Sequence, residues 1–528
     1  MTLQFGLVAL DIISSWIRMI FALGLSIVFA LAVGIWAARS KRAEAVILPL
    51  LDIFQSIPIL GFFPFVIGGI YGALPNFFGA NLAVIVLIFT SMSWNIAFGV
   101  YEAVRAIPQD YIDLLSVSHS TPWQRIKALY IPASLSRVAY NTQISWAVGL
   151  FFLVASEIIA AGKSTVPIPY GIGVAATQFP ANNDYGDYGL TIAGIVVAVI
   201  LWRYLFLRAF ALWSEKYKMM EEPREHHSDP ITRFYSWVNH KAVSKLFLLA
   251  HDVGVSRFTS TIARFGKGLK YAVLIFFVLF GLLLLSSVMH AGGGGLASLP
   301  SLSQLVSDEG GVLYALGVSF IRVWYVYGIC LGIGLPIGIV ISLNFRLYDS
   351  VSPILEVISS IPAPMLLPAI VLIPVMGQSS EAVAALVIIL AVIWYIIFNV
   401  MAGVRTLPAD LKGLPHVYHV SRRSAWRDVY LPGALTGLVT GSITAIGGAW
   451  NALIIAEYFT ETLPNGKTIL LTQVHDGIGK MITIATNQGD YLTLTLAVLS
   501  MTALIVSFNL LVWRRVYHYV TKRYTYNA

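Results

Sequence analysis

Runs of apolar residues long enough to cross a lipid bilayer determine what this chain can fold into. A helical span requires about 20 mainly apolar residues, and the 528-residue sequence contains eleven such runs. With 57% hydrophobic and 11% charged residues, the chain carries more apolar surface than a soluble domain can bury. We therefore predict an all-α polytopic membrane protein with spans near residues 13–38, 46–71, 81–104, 135–160, 189–212, 269–290, 312–343, 353–376, 382–404, 434–459 and 491–513.

The chain also contains an internal repeat whose best-matched part is polar. The segment 101–133 returns as 401–434 in a constant register. This predicts two parallel five-span repeats, with 269–290 as an extra span that gives both copies the same orientation. The matched positions are Arg105 and Arg405, Pro108 and Pro408, Asp110 and Asp410, His119 and His419, Tyr130 and Tyr430, and Pro132 and Pro432.

The repeat divides the chain into three parts. We expect a first transmembrane unit over 1–212, a linker over 213–268 and a second transmembrane unit over 269–528. Within the linker, apolar residues recur at helical spacing from Ile231 to Leu249. This spacing predicts an amphipathic helix lying on the membrane surface, and a solvated connector is the alternative.

Basic residues predict the orientation, because Lys and Arg favour the cytoplasmic side of a bilayer. Eleven spans place both polar segments on one side of the membrane. If that side is cytoplasmic, 29 of the 34 basic residues lie in or beside cytoplasmic segments. We therefore expect a multi-pass cell-membrane protein with its N-terminus outside and its C-terminus inside. The five exceptions are Lys163, Lys467 and Lys480 outside, and Arg18 and Arg322 within spans.

Prolines interrupt the second span of each half. Proline removes a backbone donor and clashes with the preceding turn, so these spans should kink or break. Broken helices at matching places in two halves point to a translocation pathway, although kinks that merely suit packing are the alternative. The candidate pathway or gating residues are Ser56, Pro58, Pro64, Ser360, Pro362 and Pro368.

Charged residues within the spans predict two ion pairs. An unpaired charge inside a membrane is costly, and the predicted topology places all four charges near the outer leaflet. We expect Arg18 to pair with Glu157 and Arg322 to pair with Glu457. The competing interpretation is that the two arginines attract an anionic substrate.

Catalytic signatures are weak throughout the chain. Ala161 to Thr165 and Asn465 to Thr468 contain a Gly-Lys pair, but the glycine that a phosphate-binding loop requires five residues earlier is Glu157 or Glu461. No Ser-His-Asp set, carboxylate pair or metal-spaced cluster rises above background. We expect the chain not to be an enzyme.

The two polar segments resemble the EAA loop of binding-protein-dependent ABC transporter permeases. They end in Leu-Tyr-Ile-Pro at 129–132 and Val-Tyr-Leu-Pro at 429–432, where the family has Ile-x-Leu-Pro. The Ser-Ile-Pro steps and the run Trp-Asn-Ala-Leu-Ile-Ile-Ala-Glu at 450–457 are most similar to the nitrate, sulfonate and taurine branch. The resemblance covers roughly 14–212 and 318–517, so it implies two permease units fused in one chain.

The segments depart from the family motif at two places. Glu-Ala-Ala is replaced by Asp113-Leu114-Leu115 in the first copy and by Gly413-Leu414-Pro415 in the second, where Pro415 disfavours a continuous helix. The family glycine is histidine in both copies. Histidine is among the non-glycine residues enriched at positive φ, so a turn can be preserved, and a pH-sensing role is the alternative.

The resemblance implies an importer permease that uses loops 105–131 and 405–431 as coupling helices. These would dock on two separate ATPase subunits, which bind ATP and Mg²⁺, while a solute-binding protein delivers a small oxyanion or sulfonate outside. Trp123 and Trp426 add aromatic anchors with nearby cations, a mixture enriched at interfaces, although membrane-interface tryptophans would look similar. The candidate coupling residues are Asp110, Asp113, His119, Trp123, Arg125, Asp410, His419, Arg422, Arg423 and Trp426.

Two other classes of membrane protein deserve comparison. An ion-coupled secondary transporter also uses duplicated halves and broken helices, but it should place ion-binding carboxylates near mid-membrane, where these spans have almost none. A channel or scaffold that needs no energy input does not explain the repeated loops.

Overall fold

The computed structural model describes residues 4–56, 58–118, 120–161, 168–215, 217, 311–373, 379–405, 407–462 and 468–524. The predicted amphipathic helix at 231–249, the predicted extra span at 269–290 and His119 lie outside these residues. The described part is helical except for one antiparallel hairpin, β1 and β2.

The described part of the first half contains ten α-helices, and a π-helical turn follows two of them. Their bounds are α1 Phe5–Arg39, α2 Lys41–Ser56, α3 Ile59–Ala73, α4 Phe77–Arg105, α5 Gln109–Val117, α6 Pro122–Arg125 with a π turn at Ile126–Tyr130, α7 Ile131–Ala161, α8 Ile172–Ala181, α9 Tyr185–Trp202 with a π turn at Arg203–Leu207, and α10 Arg208–Glu215.

The described part of the second half repeats this order, and it adds the hairpin between α17 and α18. Each helix of the first half corresponds to the helix numbered ten higher. The bounds are α11 Val312–Leu343, α12 Phe345–Ser359, α13 Ala363–Val371, α14 Ser380–Arg405, α15 Ala409–Val417, α16 Arg422–Ala425 with a π turn at Trp426–Tyr430, α17 Leu431–Glu457, β1 Tyr458–Thr462, β2 Thr468–Gln473, α18 Ile478–Gln488, α19 Tyr491–Phe508 with a π turn at Asn509–Trp513, and α20 Arg514–Tyr524.

Among the described residues, eight helices are long and apolar enough to cross a membrane, or nine if the bent pair α12 and α13 is one span. The predicted number of eleven is not confirmed by these residues. One predicted span lies outside the description, and the runs at 46–71 and 353–376 each form two shorter helices. Pro58 and Pro362 begin α3 and α13 in extended backbone, and α12 and α13 meet at 79°. A proline there ends the preceding hydrogen-bond ladder.

Local sequence explains how α9 and α19 begin. Asn183 and Gly489 occupy equivalent positions with φ of 58° and 71°, the left-handed region that Asn and Gly tolerate best. Asp184 and Asp490 follow as N-caps. A hydrogen bond from the Thr493 hydroxyl, with backbone amides, holds the pKa of Asp490 below its usual range. The repeat therefore preserves the turn chemistry as well as the helices.

Apolar residues on α1 and α11 form stripes that no other part of the described chain covers. Ile17, Phe21 and Leu25 are exposed at four-residue spacing on α1, and α11 has a matching stripe that includes Ile321 and Ile329. In a bilayer such stripes face lipid. By contrast, α4 packs between α1 and α7, as α14 packs between α11 and α17, so these two helices form the core of each half.

The halves meet through a pseudo-twofold interface made by the broken helices. Helix α3 packs against α17 and α18, while its counterpart α13 packs against α7 and α8. Likewise, α2 contacts α19 and α12 contacts α9. Between described residues, hydrogen bonds cross this interface from Leu60 N to Asn451 Oδ1 at 3.4 Å and from the Tyr188 hydroxyl to the Met365 carbonyl at 2.7 Å. The prolines therefore place short helices where the two repeats face each other.

Candidate functional site

A buried polar cluster, which we call the first clamp, joins three separate segments of the first half. It consists of Ser15, Arg18, Glu157 and the backbone of 170–173. Arg18 Nη1 donates to Glu157 Oε1 at 2.5 Å, and the Ser15 hydroxyl donates to the same oxygen at 2.7 Å. Gly173 N donates to Glu157 Oε2 at 2.8 Å, and Ile172 N donates to Ser15 Oγ at 2.9 Å. Both carboxylate oxygens of Glu157 are therefore occupied.

The second clamp repeats this arrangement with Ser319, Arg322, Glu457 and the backbone of 476–480. Arg322 Nη1 and the Ser319 hydroxyl donate to Glu457 Oε1, while Gly479 N donates to Oε2 at 2.7 Å. Ile478 N donates to Ser319 Oγ at 2.8 Å. The structure thus brings together both pairs proposed from the sequence. It adds the serines and the Gly-Ile-Gly amides, which sequence reasoning missed although both are repeated in the sequence.

Glycine is required in both clamps because the backbone passes close to the glutamate. A Cβ on Gly173 would lie 2.6 Å from the Val154 carbonyl oxygen and 2.7 Å from Glu157 Cβ. A Cβ on Gly479 would lie 2.9 Å from both Glu457 Oε2 and the Leu453 carbonyl oxygen. Such contacts force the backbone away from the carboxylate, so a larger residue would open the clamp.

The two clamps differ in the position of a second carboxylate. In the first, Asp11 Oδ1 accepts from Gly171 N at 2.9 Å, and Arg18 Nε donates to the neutral Asn81 at 2.7 Å. In the second, Glu381 replaces the asparagine and binds Arg322 through two nitrogens, at 2.7 and 2.9 Å. Arg18 Nη2 and Arg322 Nη2 also donate to the carbonyls of Tyr170 and Asp476. Every guanidinium nitrogen of Arg18 and Arg322 therefore donates to a partner within the protein. This argues against the alternative interpretation that these arginines attract an anionic substrate.

Each clamp fixes the start of a short helix that reaches the opposite half. The residues that the glutamates hold, Gly173 and Gly479, belong to the first turns of α8 and α18. Helix α8 packs against α13, and α18 packs against α3. The clamps therefore fix the positions of α8 and α18. These two helices close the interface between the halves at the end of the bundle that lies opposite α5 and α15.

The structure places the proposed pathway residues at the helix breaks. Pro58 and Pro362 are buried N-caps, Pro64 and Pro368 are buried within α3 and α13, and Ser360 ends α12 with its hydroxyl bonded to the Glu356 carbonyl at 2.7 Å. Ser56 is the last residue of α2. All six therefore belong to the broken helices at the interface between halves.

The polar segments form matching helix-turn-helix units at one end of the bundle. A helix of nine residues, α5 or α15, is followed by a turn, a four-residue helix and a π turn that leads into α7 or α17. Thr121 and Ser421 cap the second helices, and Thr121 makes a reciprocal capping box with Gln124. Pro415 lies inside α15, so the expectation that it breaks this helix is wrong. Pro415 removes only one backbone N–H donor. It does so near the C-terminal end of the helix, where the last carbonyl groups of any helix lack an intrahelical hydrogen-bond partner.

His419 adopts φ of 50° in the turn between α15 and α16. This is the left-handed conformation expected where the family has glycine. Asp113 accepts from the Gln109 amide at 2.9 Å, and Arg125 Nε donates to Ser120 Oγ at 3.1 Å. Trp123 and Trp426 are half-buried, whereas four further candidates, Asp110, Asp410, Arg422 and Arg423, are exposed.

An exposed apolar face on these helices was missed at the sequence level. Tyr111, Leu114 and Val117 lie on one side of α5, with Leu114 67% and Val117 79% exposed. Val417 and Tyr418 are exposed at the equivalent end of α15. Trp426, by contrast, packs against the core. An exposed apolar surface on a helix marks an interaction site, so this face fits docking better than the tryptophans do.

Equivalent arginines connect the polar segments to the broken helices. Arg105 Nη2 lies 3.9 Å from Glu44 Oε1 on α2, and Glu44 also accepts from the Tyr101 hydroxyl at 2.6 Å. In the second half, Arg405 lies over the ring of Tyr348 on α12, 3.9 Å from its centroid. A movement of α5 or α15 can therefore be transmitted to the helices that form the inter-half interface.

Comparison with known proteins matches two segments, 30–212 and 332–526, to the family described as binding-protein-dependent transport system inner membrane component. The nitrate import permease protein of Leptolyngbya laminosa is 27% identical over 249 residues, which are 45% of this chain and 84% of that protein. The bicarbonate transport system permease protein of Synechococcus elongatus is 32% identical over 147 residues, 28% of this chain and 52% of that protein. The taurine transport system permease protein of Escherichia coli is 29% identical over 129 residues, 24% and 46% respectively.

Proposed function

Since this chain belongs to the family of binding-protein-dependent transport system inner membrane components, with two copies of the family region in one multi-pass inner-membrane polypeptide, we propose that it is the complete transmembrane part of an ATP-driven importer. Each of the two fused units corresponds to one separate permease subunit. Separate ATPase subunits bind ATP and Mg²⁺ at one face, and a solute-binding protein delivers the substrate at the other.

The observation that carries this proposal is the pair of helix-turn-helix units at one end of the bundle. Both units have the same order of elements, and both expose apolar side chains at the ends of α5 and α15. Two equivalent docking surfaces suit two ATPase subunits. Just before these units, Arg105 at the end of α4 and Arg405 at the end of α14 contact α2 and α12, which provides a physical route from the ATPase to the broken helices.

The translocation pathway lies between the two halves. The broken spans meet the opposite half there, and the clamped helices α8 and α18 cover the end away from the docking surfaces. Alternating access then consists of opening this interface first at the clamp end and then at the docking end. The docking end is cytoplasmic, which agrees with the distribution of basic residues, and units 1–212 and 269–528 move against each other.

The names of the three relatives compared above support a small substrate that carries an anionic group. They are permeases for nitrate, bicarbonate and taurine, and each of these solutes carries an oxyanion or a sulfonate group. The similarity to each relative covers less than half of this chain. For this reason the proposal names a substrate class, a small oxyanion or sulfonate, and not one solute. The permease and the binding protein select the solute jointly.

Reconstitution tests the proposal directly. The full chain is placed in proteoliposomes with its ATPase subunits and binding protein, and uptake of nitrate, bicarbonate and taurine is measured with ATP on the ATPase side. We expect accumulation that requires ATP, ATPase and binding protein. Uptake by the permease alone, driven by an imposed proton or sodium gradient, would instead support the ion-coupled alternative.

A further inference from the structure

Among the described residues, one ion pair joins the two halves, and it is separate from both clamps. Arg203 begins the π turn after α9, and its Nη2 binds Glu356 Oε2 on α12. The Ser352 hydroxyl also donates to Glu356, at 3.3 Å to Oε1. Arg203 lies 18 residues after the start of α9, about 27 Å along the helix. The pair therefore lies within the candidate span Tyr185–Ser214, not beside a cytoplasmic segment as the count of basic residues from the sequence assumed, and charged groups within a span mark functional positions.

Both charges face the protein interior. On α9, Val197, Leu201 and Leu205 form the exposed apolar stripe, and Arg203 lies about 200° from Leu201 and Leu205 around the helix. On α12 the same relation holds between Glu356 and the exposed Ile354 and Ile358. Arg203 therefore continues the buried stripe that contains Ile195 and Val199 rather than facing lipid.

The pair nevertheless keeps open space beside it. The side chains of Arg203 and Glu356 are 29% and 31% exposed, whereas Ile195 and Val199 on the same side of α9 are almost completely buried. Both charged side chains therefore keep accessible surface where α9 meets α12, at the boundary between the two halves. A solute passing between the halves can reach the guanidinium at this boundary.

The opposite side of the pseudo-twofold interface has no equivalent cation at this position. The second π turn begins at Asn509, which corresponds to Arg203, and Glu356 corresponds to Asp52. The arginines of the two clamps are bonded at every nitrogen. Arg203 has only Glu356 as a carboxylate partner among the described residues, and an incoming anion can replace that partner at the guanidinium.

We propose that Arg203 is an anion-binding residue of the translocation pathway, and that Glu356 occupies it when no substrate is present. This rests on the proposed function and assigns a contact for its oxyanion or sulfonate substrate. A planar guanidinium presents a fork of donors that matches two oxygens of nitrate, bicarbonate or a sulfonate. Displacement of Glu356 by substrate would also separate α9 from α12, so binding would loosen the inter-half contact as the pathway opens.

The test uses the full reconstituted transporter with ATPase and binding protein, and nitrate, bicarbonate and taurine as probes. Four changes are compared: Arg203→Gln, Arg203→Lys, Glu356→Gln and the double change Arg203→Gln with Glu356→Gln. Arg514→Gln, which removes an exposed cation at the start of α20, the counterpart of α10, is the control. Thermal stability of each purified complex is measured alongside uptake.

We expect Arg203→Gln to lower uptake about tenfold or more, the effect of one charge-assisted hydrogen bond, while Arg203→Lys retains part of it. Glu356→Gln keeps the cation and should preserve uptake. The double change should restore thermal stability but not uptake, and the control should match the parent protein.

A purely structural ion pair predicts the opposite pattern. Both single changes would then reduce uptake equally, and the double change would recover uptake together with stability. That pattern, in a parent protein that still shows ATP-driven uptake, would overturn the anion site and leave the proposed function intact. A parent complex that accumulates none of the three anions would overturn the substrate class itself.

Discussion

Replacing Glu157 or Glu457 with glutamine should affect stability to different extents, although the two residues hold equivalent positions. In the first clamp, Glu157→Gln leaves buried Arg18 with hydrogen bonds to two neutral oxygens, those of Asn81 and the Tyr170 carbonyl. Removing one partner of a buried ion pair costs about 3–5 kcal/mol, because the remaining charge is uncompensated. Asp11 lies nearby and attracts Arg18 electrostatically, but the Arg18 nitrogens donate to other groups, so Asp11 compensates the charge less than Glu381 compensates Arg322.

In the second clamp, Glu457→Gln leaves Arg322 bound to Glu381 through two nitrogens. The charge therefore stays compensated, and the loss is chiefly a rearranged hydrogen-bond set, about 1–3 kcal/mol. The expected difference between the two changes is about 2 kcal/mol, with Glu157→Gln the more destabilising.

Thermal unfolding of the purified protein in one detergent measures this difference, and Glu381→Gln supplies a matched control. Asn81 is the counterpart of Glu381, so Glu381→Gln combined with Glu457→Gln gives the second clamp the neutral acceptors of the first. The double change should then lower the free energy of unfolding by more than the sum of the two single changes. Its effect should approach that of Glu157→Gln. Equal losses for Glu157→Gln and Glu457→Gln, or strict additivity of the double change, would refute the charge-compensation argument.

Three further changes test other parts of the site. Gly173→Ala should destabilise the protein by about 1–3 kcal/mol in the same assay because its Cβ meets the Val154 carbonyl, whereas Gly413→Ala, which has open space around it, should not. Leu114→Asp should weaken co-purification of the ATPase without changing membrane insertion, which is measured as the control; undiminished co-purification would exclude this face of α5. Glu44→Gln should leave ATPase binding unchanged but lower the number of solute molecules moved per ATP hydrolysed, and an unchanged ratio would exclude the Arg105 route.

Much of the architecture follows from local sequence signals. Apolar runs indicate the spans, the constant register indicates the duplication, and Ser-Ile-Pro in each half indicates where the second span breaks. The pairing of Arg18 with Glu157 could be inferred because both charges lie at the same predicted depth and few other charges are available. His419 in the left-handed region follows from the glycine of the family motif.

Other parts depend on tertiary contacts that no local pattern reports. Ser15 joins the clamp because its hydroxyl bridges Glu157 and the amide of Ile172, which are far apart in sequence. The pairing of Arg203 with Glu356 arises from the crossing of α9 and α12 between halves. The spacing of Tyr111, Leu114 and Val117 is the sequence signal for the exposed face of α5. The sequence analysis instead assigned docking to the tryptophans, which are the larger aromatic residues of the two segments.

Accessibility of the two docking faces tests the central claim most directly. Single cysteines at Leu114 and at Val417 are labelled with a membrane-impermeant maleimide, in a protein whose native Cys330 is buried. We predict that both react only when the cytoplasmic face is exposed, in inside-out vesicles, and that bound ATPase protects both. Reaction of the two positions from opposite sides of the membrane, or labelling that the ATPase does not reduce, would contradict a tandem permease driven from one face.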